Sequence, residues 1–130
     1  MPVADTSFLI DIMRRDPAAL SIYEAYERQG IALATTAITA MELYKGAYTS
    51  RNRRNSEKTE RILDLFFLHP LDEMVYQAFG MIAAGLFLTG NSLGDFDEAV
   101  AAITLCYDGE IITRDRHFEN IPELKVIRYR

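Results

Sequence analysis

Four acidic residues lie along the chain where their carboxylates could share one site. Asp5 directly follows a short apolar run, and Asp115 lies two residues beyond Thr113, where a later apolar run ends. Because ligands of a parallel sheet bind at the carboxyl ends of its strands, these two acids can face one crevice. Glu42 lies within a segment of helical periodicity, and Asp97 lies in the first turn of another, where the helix dipole favours a carboxylate.

This pattern of carboxylates points to chemistry with a divalent metal ion. Carboxylates held close together repel one another unless a cation lies between them. Mg²⁺ and Mn²⁺ prefer oxygen ligands, and such an ion activates water and stabilises charge on a phosphate. Thr6, Ser7 and Thr113 supply hydroxyls beside the acids that could orient a carboxylate, a water or a substrate. The combination suits hydrolysis of a phosphodiester bond by metal-activated water.

Each acid also has a purely structural interpretation. Asp5 can serve only as a helix N-cap, and Glu42 can pair with a lysine one turn later on a solvated face. One of Asp95 and Asp97 can cap the helix that begins there, and Asp115 can be a turn residue. Spacing alone therefore leaves both interpretations open.

Composition indicates a folded protein with ordinary surface chemistry. The chain has 130 residues, 49% of them hydrophobic and 25% charged, which suits a single domain over residues 1–130. One cysteine cannot form an internal disulfide, and two histidines are too few for a zinc site. The first residues contain no basic stretch followed by an apolar run, so we expect a cytoplasmic protein.

Charge is distributed unevenly around a net value of −5. Six basic residues lie between positions 45 and 61 against two acids, namely Lys45, Arg51, Arg53, Arg54, Lys58 and Arg61. Such a run is more often a solvated surface than a binding site, but Arg51, Arg53, Arg54 and Lys58 are candidates to steer an RNA backbone. Overall acidity is a weak objection to an RNA substrate, because bound divalent ions would offset it.

Strands and helices alternate along the chain, which predicts an α/β/α sandwich around a mostly parallel sheet. The predicted strands cover residues 2–4, 31–35, 69–71, 110–113 and 125–129, and the predicted helices cover 7–14, 17–29, 37–48, 56–67, 73–88 and 95–107. Asp16 followed by Pro17 is a typical helix start, and Thr36 can cap the third helix. In that helix we expect one apolar stripe, formed by Ala37, Met41, Tyr44 and Tyr48.

The segment from Glu73 to Leu88 is apolar on every side. Two stripes contribute, one of Val75, Phe79, Ile82 and Leu86, the other of Tyr76, Ala83 and Phe87. It is too short for a membrane span, which needs roughly 20 apolar residues. A helix that is apolar all round must be covered all round, so it is either a central core helix or is partly covered by a second copy in a homodimer.

Taken together, the motifs resemble those of the PIN-domain family, and more closely the VapC-type toxins of prokaryotic toxin–antitoxin pairs. Residues 3–11 resemble the first motif, a hydrophobic strand followed by Asp-Thr-Ser, and residues 36–46 resemble the second, Glu-Leu with a glycine four residues after the acid. Residues 97–102, 111–118 and 121–126 resemble the third motif, the fourth motif and the usual ending. Each motif is short, but together they span nearly the whole chain in the right order.

The resemblance implies a parallel sheet in the order 3-2-1-4-5, with the acids at its carboxyl edge. It also implies a Mg²⁺- or Mn²⁺-dependent endoribonuclease that forms a homodimer and is inhibited by a cognate antitoxin protein. The family's catalytic, metal-binding acids carry over to Asp5, Glu42, Asp97 and Asp115. Asp95, two residues before Asp97, is a further candidate ligand, although the small-residue helix that follows favours Asp97.

Two other classes of function remain open at this point. One is a catalytically silent PIN-like domain that binds metal or protein. The other is a different Mg²⁺-binding α/β domain or a DNA nuclease of related fold. A dehalogenase-like phosphatase would need a second Asp where this chain has Ser7, and a receiver domain would need a Lys where it has Arg114.

Overall fold

The strands pair in parallel into one five-stranded sheet in the computed structural model, which describes residues 1–130. They are β1 (Val3–Ala4), β2 (Ala34–Thr36), β3 (Phe67–His69), β4 (Glu110–Thr113) and β5 (Lys125–Arg128). Their order in space is β3-β2-β1-β4-β5, and all four strand pairs are parallel. The predicted α/β class and strand order are therefore confirmed.

Helices cover both faces of this sheet. They are α1 (Thr6–Met13), α2 (Pro17–Arg28), α3 (Ala37–Thr49), α4 (Arg53–Leu63), α5 (Glu73–Leu88) and α6 (Asp95–Tyr107), with a 3₁₀ helix at Arg116–Asn120. One core contains Ile112 with residues of α1 to α4, and the other contains Ile111 with residues of α5 and α6. Consecutive strand residues point to opposite faces, so β4 contributes to both cores and the fold has the three predicted layers.

Side-chain caps determine where α2 and α3 begin. Asp16 Oδ2 accepts a hydrogen bond from the Ala19 amide at 3.0 Å, with Pro17 in the first helical turn, as the sequence predicts. Thr36 Oγ1 accepts from the Thr39 amide at 3.1 Å, which confirms the predicted cap of α3. Because Thr36 also ends β2, this cap turns the chain directly from the sheet edge into α3.

Several predicted details of the elements were wrong. The second strand begins at Ala34 rather than at residue 31, the third ends at His69, and the 3₁₀ helix was not predicted. The predicted apolar stripe of α3 faces solvent, since Met41 is 51% and Tyr48 is 71% exposed. The buried face of α3 instead carries Ile38, Thr39, Leu43 and Ala47, because this is the face turned toward the sheet and α1.

The two stripes of α5 have different surroundings. Val75 and Leu86 are buried, and Phe79 and Ile82 pack against the same core, so the first stripe is a core face. In the second stripe Tyr76 is 61% and Phe87 is 74% exposed, and neighbouring Met81 and Leu88 are still more exposed. An apolar face of α5 is thus uncovered in the single chain. None of the helices has both the length and the apolar character needed to cross a lipid bilayer.

Candidate active site

Asp5 occupies the junction between β1 and α1, where its carboxylate is held by three donors. Its Oδ1 accepts from Ser7 Oγ at 2.7 Å and from the Phe8 amide at 3.0 Å, so Asp5 is the N-cap of α1. Its Oδ2 accepts from Thr113 Oγ1 at 2.5 Å, which joins the end of β1 to the end of β4. Two of the three predicted supporting hydroxyls, those of Ser7 and Thr113, therefore hold this acid.

Burial makes the ionised form of Asp5 costly. The side chain is only 6% exposed, and loss of hydration raises its pKa from 3.8 to about 6, although Ser7, Thr113 and the Phe8 amide oppose the shift. The negative charge of Asp97 raises this pKa further. A nearby cation would stabilise the carboxylate and so lower the pKa of Asp5.

Glu42 lies on α3 and reaches the same edge of the sheet. Its Oε1 accepts from Thr6 Oγ1 at 2.7 Å, and Thr6 Oγ1 lies 3.1 Å from Thr39 Oγ1. Thr6 directly follows Asp5, so the third predicted hydroxyl ties the acid of α3 to the chain segment that carries Asp5. The structure contains no ion pair between Glu42 and Lys45, which was the structural alternative for this residue.

Asp97, in the first turn of α6, is electrostatically linked to the other three acids. Burial raises its pKa, and the negative charges of Glu42 and Asp115 raise it further, whereas His117 has a smaller opposite effect. Asp97 also acts on the pKa of Asp5. Asp95 is exposed, forms no side-chain hydrogen bond or ion pair, and is absent from the charges that act on Asp97. The structure thus places Asp97 within the acidic cluster and Asp95 outside it.

Asp115 follows β4 and caps the 3₁₀ helix. Its Oδ1 accepts from the His117 amide and lies 2.9 Å from His117 Nδ1. Its own amide donates to Thr113 Oγ1 at 2.9 Å, so Thr113 bridges Asp115 and Asp5. The predicted role of Asp115 as a turn residue is therefore compatible with its place in the cluster.

The donor chemistry of these four carboxylates fits Mg²⁺ or Mn²⁺, since all the donors are oxygens and their charges repel one another. In the present side-chain arrangement, no three Asp, Glu, His or Cys residues are placed so that they could hold an ion. The hydrogen bonds explain this, because Asp5 and Glu42 direct carboxylate oxygens toward hydroxyls. Coordination by three acids would require their side chains to rotate.

A groove of about 340 Å³ runs from this cluster between α1, α3 and α4. Glu42, Leu43 and Ile10 line this groove, and Arg14 and Lys58 supply positive charge. Of the candidate RNA-steering residues, Lys58 lines this groove, whereas Arg51, Arg53 and Arg54 are exposed at or near the start of α4. A larger cavity of about 600 Å³ lies beside α5, is mainly apolar and contains none of the four acids.

Sequence reasoning missed two buried acids close to the cluster. Glu98 is 4% exposed and accepts from the Leu93 amide at 2.9 Å, so it holds the turn that precedes α6. Asp11 is 2% exposed and forms ion pairs with Arg114 and Arg130. Neither has a local sequence signal, because burial of a helical carboxylate depends on partners elsewhere in the chain.

Comparison with solved structures finds close likeness of fold at low sequence identity. A chain of VapBC2 from Rickettsia felis, solved bound to a DNA fragment from the promoter, has a TM-score of 0.86 and 17% identity over 98% of both chains. A chain of VapBC-1 from nontypeable Haemophilus influenzae has a TM-score of 0.85 and 24% identity over 98% of this chain and 96% of that one. A chain of DNA-bound VapBC from Salmonella typhimurium has a TM-score of 0.84 and 23% identity over the full length of both.

Comparison with curated proteins finds no match. The family model of the PIN domain matches residues 3–124, a range that includes all four acids of the cluster and every strand except β5. A match over this much of the chain, in agreement with the fold, shows that the protein belongs to the PIN domain family.

Proposed function

We propose that this protein is a Mg²⁺- or Mn²⁺-dependent endoribonuclease, the toxin of a toxin–antitoxin pair. One observation carries the proposal: Asp97 shares its electrostatic environment with Asp5, Glu42 and Asp115 at one edge of the sheet. Four carboxylates whose negative charges repel one another at this edge, none of them paired with a lysine or an arginine, favour a divalent cation. Membership of the PIN domain family supports nuclease activity at these acids.

Each acid has a distinct task in this proposal. Asp5, Glu42 and Asp97 would hold the cation, and Asp115 would complete the site or help to hold a second ion. When bound, Mg²⁺ or Mn²⁺ would neutralise charge on the phosphate and lower the pKa of water. Hydrogen bonds of Thr113 hold Asp115 near Asp5, and the hydrogen bond from Thr6 holds Glu42 near the segment that carries Asp5. No protein nucleophile is needed.

Cleavage of structured cellular RNA by the purified chain tests this function. Reactions would contain Mg²⁺, Mn²⁺ or a chelator, with DNA of the same sequence as a second substrate. The Asp97→Asn variant is the inactive control, and Glu57→Gln, which changes an exposed acid of α4, is the matched control. We expect discrete cuts in RNA that require metal and disappear only in Asp97→Asn. Metal binding without cleavage of RNA or DNA would favour the catalytically silent domain.

The exposed arginines before and within α4 should contribute to RNA affinity through its phosphates. Replacing Arg51, Arg53 and Arg54 with alanine is expected to weaken binding and to reduce the slope of log affinity against log salt by about 2, since each phosphate contact contributes about 0.7 on single strands. Filter binding at several salt concentrations measures both effects. Arg28→Ala, an exposed arginine of α2 without an ion pair, should change neither. Unaltered affinity and slope in the triple variant would remove these arginines from the RNA path.

The proposed toxin has two protein partners, a second copy of itself and an antitoxin. The uncovered apolar face of α5 supports a homodimer, because exposed apolar patches of this kind mark interaction surfaces. The groove beside Glu42 supports an antitoxin segment with an apolar side for Leu43 and a basic residue for the acids. The neighbouring structures contain VapBC complexes, which is consistent with such a partner.

The homodimer proposal predicts a change in mass when α5 is altered. Introducing Met81→Glu and Phe87→Glu together should convert a dimer into a monomer, because both side chains are more than 70% exposed in the single chain and would be buried between copies. Sedimentation over a range of concentrations measures the mass. Tyr48→Glu, which alters an equally exposed aromatic residue on α3, is the control. A wild-type chain that remains monomeric at high concentration contradicts the proposal.

A further inference from the structure

Asp11 is a buried carboxylate that the proposed chemistry does not use. It lies on α1, six residues after Asp5, and is 2% exposed. Its Oδ2 accepts from Arg114 Nε at 2.9 Å, from Tyr129 Oη at 2.6 Å and from Arg130 Nη2 at 3.2 Å. A single oxygen therefore receives three donors from two segments that are more than 100 positions away in sequence.

Stability alone is a poor explanation for this arrangement. Removing a charge pair from water costs much of the energy that the pair recovers, so apolar residues of similar size often stabilise a fold equally well. What such a pair provides is a defined geometry for the groups that it joins. The position of the joined groups therefore indicates what the pair is for.

Arg114 lies between two residues of the candidate active site. Thr113 Oγ1 donates to Asp5, and the Asp115 amide donates back to Thr113 Oγ1. Arg114 itself lies in a bend after β4, where its Nε donates to Asp11 Oδ2 at 2.9 Å. The Arg114 side chain thus pairs with Asp11, while Thr113 before it and Asp115 after it hydrogen-bond within the candidate active site.

A second series of contacts leads from Asp11 to the carboxylate of Asp5. Tyr129, whose hydroxyl donates to Asp11, packs edge-on against Phe8 with ring centroids 5.1 Å apart. The Phe8 amide in turn donates to Asp5 Oδ1. Burial and the hydrogen bond to Asp11 raise the pKa of Tyr129, so its hydroxyl keeps the proton that it donates.

We propose that Asp11 is a positioning residue. Through its ion pair with Arg114, it fixes the position of the segment Thr113–Asp115 relative to Asp5. Its effect on catalysis rests on the proposed nuclease function, but its effect on the conformation of this segment does not. Arg130 provides an internal control, because it pairs with the same Asp11 oxygen and with Asp16 but is not adjacent to any residue of the acidic cluster.

Hydrogen exchange of backbone amides tests the conformational part directly. The Asp115 and His117 amides are both bonded within this segment. Arg114→Ala is expected to accelerate their exchange about 10-fold relative to core amides, whereas Arg130→Ala should leave them unchanged. Arg114 and Arg130 are 38% and 47% exposed, so both variants should fold, and the result does not depend on Asp11→Asn doing so. Unchanged exchange in Arg114→Ala, or equal acceleration in Arg130→Ala, would overturn the proposal.

Kinetics on RNA then separates positioning from substrate contact. Arg114→Ala and Asp11→Asn should each lower kcat about 10- to 100-fold, as loss of support for a ligating group typically does, with KM changed less than about threefold. The double variant should be no slower than the slower single variant, because both substitutions remove the same Asp11–Arg114 interaction. Additive losses, or a rise in KM without a fall in kcat, would identify Arg114 as an RNA contact and overturn the positioning role. A wild-type chain that cuts no RNA refutes the nuclease function alone, and the exchange comparison still decides the role of Asp11.

Discussion

Replacing Asp5 with asparagine is expected to slow catalysis sharply and, without metal, to make the protein more stable. Asp5 is the most buried of the four clustered acids, and its charge has no cationic partner in the chain. Loss of one charged ligand that stabilises the reacting phosphate by about 4 kcal/mol would slow cleavage about 1000-fold. The same charge destabilises the folded protein when no cation is bound.

The direction of the stability effect follows from the pKa of Asp5. Its carboxyl has a pKa of 3.8 when exposed and about 6 in the folded protein, so the folded state binds the proton more tightly than the unfolded state. Stability therefore falls as pH rises from about 4 to about 6 and stays lower above that range. Asparagine carries no charge and removes this penalty, which is roughly 3 kcal/mol at neutral pH because the pKa of Asp5 rises from 3.8 to about 6 on folding.

Asparagine also preserves the hydrogen bonds that surround Asp5. Its carbonyl oxygen can accept from Ser7 and from the Phe8 amide, and its amide can donate to Thr113, whose hydroxyl is both donor and acceptor. The substitution is therefore close to isosteric. Its main effect is the removal of one buried negative charge.

Urea unfolding in chelator at neutral pH and near pH 4 measures the predicted gain. The gain should be present at neutral pH and absent near pH 4, where wild-type Asp5 is protonated in the fold. Asp64→Asn, at an exposed acid after α4, should have no effect at either pH. If Asp5→Asn retained wild-type cleavage, Asp5 would not be a metal ligand. If it destabilised the chelated protein at neutral pH, the burial argument would be wrong.

Much of the architecture could be predicted because the decisive signals are local. Asp16 with Pro17 predicts the start of α2, and Thr36 predicts the start of α3. Both helices begin at these residues in the structure. Strand ends could be placed because a parallel sheet collects them at one edge, which brings Asp5 and Thr113 into contact. The resemblance to PIN domains added the strand order, which periodicity does not specify.

The remaining features depend on which elements pack together. The α3 helix has apolar residues on more than one side, so periodicity alone could not select Ile38 and Leu43 over Met41 and Tyr48 as its buried residues. Asp11 has the spacing of an ordinary helical acid, and only contact with Arg114 reveals its burial. Interactions across more than 100 residues leave no pattern in a single sequence.

Metal affinity should depend on pH because the clustered acids must lose protons before they can bind a cation. Asp5, with a pKa of about 6, is ionised at pH 7 but about nine-tenths protonated at pH 5, so the affinity for Mg²⁺ or Mn²⁺ should fall about tenfold across this range. The raised pKa of Asp97 acts in the same direction and can only steepen the fall.

Calorimetric titration with Mn²⁺ at pH 5, 6 and 7, in two buffers of different ionisation enthalpy, measures both the affinity and the protons released. About one proton should be released per ion bound at pH 5, and far less at pH 7. Asp5→Asn cannot release this proton, so its weaker binding should vary less with pH, whereas Asp64→Asn should reproduce the wild-type dependence. Wild-type affinity that is constant from pH 5 to pH 7 would mean that the ion does not bind at the buried carboxylate. The acids would then be clustered for another reason, and the catalytically silent domain would become the better account of the cluster.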